Sequence, residues 1–223
     1  MLREILPSVF QNLVNLLSFI VLAAAFLLIV RGSLAAQVRV FAWQSYTLGI
    51  LAAVIGAFSG SLELFAVAMV LVIIKGLIIP NILNRVVRKI GLQWAVAPYL
   101  SAPAALVVCG VLVVLAFYIM APLASSNRLP TAGAIPLAFA GVLIGFFVTV
   151  NRRRALTQIL GFLIMENSIF LFALLATYGV PFIVELGVFL DVLVAVLILE
   201  VFVYRIKENF DSITVDQMGN LKG

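Results

Sequence analysis

Residues 155–178 read ALTQILGFLIMENSIFLFALLATY, and between Arg154 and Glu185 the sole charge is Glu166. At about 1.5 Å of rise per residue such a stretch covers a hydrocarbon core about 30 Å thick. It is continuously apolar, whereas a membrane β-strand alternates over about ten residues, so it reads as a transmembrane helix and not as a barrel strand. A carboxylate near the middle of such a helix is costly and calls for a partner or a purpose.

Working outward, six further stretches have the same character. The seven predicted spans are residues 9–30, 40–58, 62–83, 102–124, 131–150, 155–178 and 182–204. The fold class expected is therefore all-α, a polytopic membrane helix bundle of about seven helices. Composition agrees: 65% of the 223 residues are hydrophobic and 10% charged, against about 25% charged in soluble domains. Residues 1–8 carry one base and one acid before a stretch long enough to span, so a cleaved signal is not expected. Short joining segments such as Ser59-Gly60-Ser61 and Gly179-Val180-Pro181 predict antiparallel neighbours.

Seven crossings place eleven of the fourteen lysines and arginines on the side of the odd-numbered loops, among them Arg31, Arg39, Arg85, Arg88 and Arg152 to Arg154. Positive residues mark the cytoplasmic face, so the N-terminus is expected outside and the C-terminus in the cytoplasm. The bases lie in short loops between spans, a pattern of membrane orientation and not of nucleic-acid binding. Histidine is absent and Cys109 is alone, which excludes a disulfide framework, a His/Cys metal site and a histidine proton relay. No phosphate loop or nucleophile–base pair is visible, so neither a catalytic residue nor a bound cofactor or metal is expected, and the chain alone does not read as an enzyme.

Three charges fall near one depth. Glu166 lies roughly 16–18 Å from the Arg152 to Arg154 cluster, Asp191 roughly 14 Å from the outer boundary, and Lys75 roughly 12 Å from the cytoplasmic one. Pro80, close after Lys75, should weaken the local backbone bonding. A structural reading has Lys75 neutralising an acid and fixing helix packing. A functional reading makes the group a proton or ion path, since burial and an opposing charge push a carboxyl's proton affinity in opposite directions. Glu185 and Glu200 lie about a turn inside the two boundaries and are weaker candidates, each within reach of water by snorkelling. Glu63 suits a helix entrance, Trp43, Trp94 and Tyr99 suit interfacial anchors, and Cys109 suits a small core position.

Two stretches, NRRRALTQILGFLIMENSIF (151–170) and VELGVFLDVLVAVLILEVFVYRIK (184–207), resemble the NuoK subunit of respiratory complex I and its relative MrpC of cation/proton antiporters. The tail ITVDQMGNLKG (213–223) resembles theirs too. Those subunits have about three helices, and this chain has about four in front, a layout similar to hydrogenase-4 component E. IMEN (164–167) and IIKGLIIP (73–80) are similar to that branch, whereas the NuoK acid would fall one turn earlier, at Leu163. The resemblance implies a four-helix region over 1–130 followed by a NuoK-like region over 131–223. It also implies a prokaryotic inner-membrane subunit of a [NiFe]-hydrogenase or formate-hydrogenlyase-type complex, with antiporter-like subunits and the hydrogenase large and small subunits as partners. Glu166 and Asp191 would be protonatable relays and Lys75 their modulator. An Mrp-type antiporter subunit and a structural spacer are the alternatives.

Overall fold

The computed structural model describes residues 2–90, 98–126 and 129–177. Six helices long and apolar enough to cross a membrane lie among the described residues, and no strand does. They are α1 (Leu2–Val30), α2 (Leu34–Ser59), α3 (residues 62–90), α4 (Ala102–Ser126), α5 (Ile135–Asn151, after a 3-10 turn at Ala132–Ala134) and α6 (Ala155–Thr177). The expected span 182–204, with Glu185, Asp191 and Glu200, lies outside the described residues.

Two boundaries differ from the hydropathy reading, each for a local reason. Helix α2 begins at Leu34, six residues before the apolar run at Val40, because Ser33 caps it by accepting from the Ala36 N–H at 3.3 Å. Arg39 therefore sits on a helix and not in a loop. Helix α3 continues past Leu83 to Ile90, since its last turns bury Val86 and Val87 and expose Arg85 and Arg88, an amphipathic pattern that hydropathy averages away. Gly60 ends α2 in the left-handed region at φ 71°, which a residue without Cβ adopts cheaply.

The helices alternate in direction. At one end Arg152, just after α5, donates from Nη2 to the carbonyls of Leu28 (3.0 Å) and Ile29 (3.5 Å) in the last turn of α1. At the other, the Thr131 hydroxyl before α5 donates to the Leu175 carbonyl of α6 at 2.7 Å. Helix α4 is peripheral, with 17% of its most apolar window buried against 67% for α6.

Helices in lipid gain little from hydrophobicity alone and associate through close van der Waals contact at small residues. Between α5 and α6 that contact reaches the backbone. A Cβ on Gly145 would stand 2.5 Å from Met165 Cα, one on Gly141 2.6 Å from Ser168 Oγ, and one on Gly161 2.7 Å from the Thr149 nitrogen. At Gly145 and Gly161 the atoms met are backbone, so the close approach of the hairpin depends on glycine there, whereas at Gly141 the Ser168 side chain alone stands in the way.

The apolar interior is divided. One buried cluster holds Leu22 to Ile29 of α1, Val38 to Phe41 of α2, Ile79 to Val86 of α3 and Leu156 to Ile164 of α6. The other holds Phe10 to Val21, Leu48 to Ile55, Leu64 to Leu71 and Phe170 to Leu175 of the same helices. On α2, α3 and α6 the gaps between them contain Gln44 and Ser45, Lys75, and Glu166 to Ser168, all buried. The polar residues thus form a layer across the middle of the bundle, between two dry cores.

Candidate functional site: a charged layer in mid-bundle

Lys75 reaches this layer from the least regular part of the fold. Helix α3 is α-helical over Leu62–Val70, π-helical over Leu71–Ile78 and α-helical again over Ile79–Ile90. In the π segment hydrogen bonds run five residues back, as from the Ile79 N–H to the Ile74 carbonyl. The next residue, Pro80, has no N–H to extend that series to the Lys75 carbonyl. The expectation of weakened bonding near Pro80 is met as a change of helix type, not as a break. Gly76 lets the Tyr46 ring of α2 lie against this segment, with Tyr46 Cε1 only 2.5 Å from where a Cβ would be.

Within the layer the Lys75 ammonium donates to Glu166 Oε1 at 2.7 Å, and the two side chains are 1% and 2% exposed. Hydropathy had put each near mid-span; packing brings them together across two helices distant in sequence. Two opposite charges in an apolar interior attract strongly, but each gives up hydration worth several kcal/mol, so the pair stands only while both members are present. It is the sole ion pair among the described residues.

A neutral network continues beside it. Asn167 Nδ2 donates to Gln44 Oε1 at 3.0 Å and to Ser45 Oγ at 3.1 Å. Gln44 Nε2 donates to the Val21 carbonyl of α1 at 3.1 Å, and Ser45 Oγ to the Phe41 carbonyl at 3.0 Å. Asn167 Oδ1 and, on α1, Ser18 Oγ are buried with no hydrogen-bond partner among the described residues. Polar atoms left without a partner are where a buried water or a moving proton carrier is accommodated. Chemically the layer holds a pair of opposite charges beside a run of neutral amide and hydroxyl hydrogen bonds. Among the described residues no three His, Cys, Asp or Glu side chains converge as metal ligands.

The sequence reading singled out Lys75 and Glu166 and passed over Gln44, Ser45 and Asn167. Their signal was present, as two amides and a hydroxyl inside apolar stretches of α2 and α6. Arg152, expected only as a topology marker, is buried and caps α1, and its burial lowers its pKa from the ordinary arginine value. Of the other residues considered, Glu63 is exposed in the first turn of α3, Trp43 is exposed on α2, Tyr99 stacks under Arg153 at 4.6 Å, and Cys109 is buried. Trp94 lies outside the described residues.

Among the described residues, six helices long and apolar enough to cross a membrane enclose an ion pair, which defines a multi-pass helical membrane protein with a buried charge site. The chain is 34% identical over 214 residues to the uncharacterized protein Rv0085 of Mycobacterium tuberculosis, covering 96% of this chain and 97% of that protein, and it belongs to that protein's family. It is also 28% identical over 152 residues to hydrogenase-4 component E of Escherichia coli K12 and of Shigella flexneri, covering 68% of this chain and 70% of theirs. No family profile and no solved structure matches.

Proposed function

We propose that this chain is a membrane subunit of a hydrogenase-related complex akin to respiratory complex I, in which the Lys75–Glu166 pair helps couple electron transfer elsewhere to proton or sodium movement. The chain itself is non-catalytic and holds no cofactor. Its partners are antiporter-like and other membrane-arm subunits together with hydrogenase large and small subunits. It lies in a prokaryotic inner membrane with its arginine-rich end in the cytoplasm, and residues 131–223 make up its NuoK-like part.

The observation that carries this reading is the Lys75–Glu166 pair enclosed between two apolar cores. Intramembrane ion pairs mark ion pathways more often than plain packing contacts. The similarity to hydrogenase-4 component E supplies the redox context.

A physical means is available. While Lys75 stands at 2.7 Å, its ammonium balances the opposite charge of Glu166. Withdrawing the ammonium takes that balance away, which on this reading is the step that admits a proton or sodium ion to the layer. The π segment offers the movement, because losing its one extra residue per turn rotates the helix on one side by roughly 100°. Asp191, Glu185 and Glu200 join the path on this reading as further carboxylates.

The test is purification from the native membrane in mild detergent, with copurifying subunits identified by mass spectrometry. A nickel–iron hydrogenase pair with antiporter-like subunits is expected. Antiporter subunits without iron–sulfur proteins would replace this reading with an Mrp-type one. Within the assembled complex, Lys75→Glu combined with Glu166→Lys keeps an ion pair in place. Retained assembly with lost coupling supports the path, whereas retained coupling reduces the pair to a packing device.

A further inference from the structure

We propose that the groove between α1 and α2 is a binding site for one anionic phospholipid of the leaflet at the arginine-rich end. The groove encloses about 560 Å³ and is walled by Phe19, Ala23 and Leu27 of α1 and by Ala36, Val40 and Trp43 of α2, with Arg31 and Arg39 at one end. Its floor is shallow in side chains because Ala23, Ala24 and Ala36 line it. Its long walls are apolar and partly exposed, the surface that an acyl chain covers.

Length and charge select the occupant. From Phe19 to Arg31 the helix rises roughly 18 Å and from Arg39 to Thr47 roughly 12 Å, which brackets the roughly 15 Å of hydrocarbon in one leaflet of a core about 30 Å thick. A partner helix crossing the membrane would be expected to follow both leaflets, whereas this groove is one leaflet deep. The arginines sit where a headgroup phosphate would lie, and a basic recess between spanning helices is the usual place for such a headgroup. Trp43, 70% exposed and one turn deeper than Arg39, is placed for the polar–apolar boundary.

Among the described residues neither arginine has a competing structural task. An arginine at a helix C-terminus commonly serves the last carbonyls, but on α1 that is done by others: Arg152 donates to Leu28 and Ile29, and Gln37 Nε2 donates to the Arg31 carbonyl at 2.7 Å. Among the described residues no acid pairs with Arg31 or Arg39, and both are exposed. Two cations with no acid paired to them among the described residues, at the head of an acyl-length groove, fit a phosphodiester monoanion better than a zwitterionic lipid. This site is separate from the mid-bundle pair, and its test reads lipid, not coupling.

The full chain, purified in mild detergent, is incubated with equal amounts of phosphatidylglycerol and phosphatidylcholine and examined by native mass spectrometry. One phosphatidylglycerol is expected to be retained in preference. Each neutralised arginine weakens it about fivefold, so Arg31→Gln with Arg39→Gln lowers retention on the order of twentyfold while Arg31→Lys with Arg39→Lys largely preserves it. Ala23→Trp, which fills the groove and keeps both arginines, also expels the lipid. Undiminished phosphatidylglycerol binding in the double glutamine variant overturns the proposal. Should that variant misfold, full retention by Ala23→Trp overturns it alone. A photoreactive residue at Phe19 that labels protein and not lipid in native membranes overturns it as well, by giving the groove to a neighbouring subunit.

Discussion

Lys75 and Glu166 meet at 2.7 Å although 91 residues separate them, and each comes from a gap between the two apolar cores on its own helix. The contact ties α3 to α6 at a depth where both side chains are buried. Removing one member takes from the other its 2.7 Å partner of opposite charge. Glu166→Gln and Lys75→Met are each expected to cost about 3–5 kcal/mol, whereas Lys75→Met with Glu166→Leu recovers much of it. Denaturant unfolding in detergent measures all three; additive losses would show that the two charges do not depend on each other.

Gly145 and Gly110 make opposite predictions from the same substitution. At Gly145 a Cβ would stand 2.5 Å from Met165 Cα, whose backbone cannot give way, so Gly145→Ala should destabilise by about 1–3 kcal/mol. At Gly110 nothing lies within 4 Å, and alanine there should be neutral or stabilise by up to about 1 kcal/mol through helix propensity. Thermal unfolding of the two variants side by side checks the contrast.

The amide bridge between α2 and α6 is expected to be modest. Asn167→Leu and Gln44→Leu should show a coupling energy of about 0.6 kcal/mol and not above about 1.7 kcal/mol in a double-mutant cycle, the range for hydrogen bonds between membrane helices. A value near zero would mean that the 3.0 Å contact contributes shape and no energy.

Arg152 predicts a local effect. Arg152→Met leaves the Leu28 and Ile29 carbonyls without their donor, at about 1–3 kcal/mol, and should speed hydrogen exchange in the last turn of α1. Protection left unchanged at residues 28–31 would remove the capping role.

Long apolar stretches made the six described spans legible in the sequence, because a helix surrounded by lipid is apolar on every side and its length is set by the bilayer. Boundaries were less legible where a cap or an amphipathic turn decided them, as at Ser33 and at Val86 and Val87. Lys75 and Glu166 stood out as isolated charges, yet their pairing did not, since hydropathy carries no information about which non-adjacent helices touch. Gln44, Ser45 and Asn167 escaped because uncharged polar residues cost little enough in a membrane helix to pass unremarked. The π segment had a trace in Pro80, but a proline alone does not distinguish a kink from a change of helix type.

The glycine contacts that join α5 to α6 have a mechanical consequence for the charge layer. Met165, whose backbone lies against Gly145, immediately precedes Glu166, so the acid is carried on a plate with almost no free play. Lys75 is mounted on π-helical winding that runs up to a missing amide at Pro80. The two poles of the pair are thus mounted differently, the anion on a regular helix locked by glycine contacts and the cation on a winding with a different hydrogen-bond register.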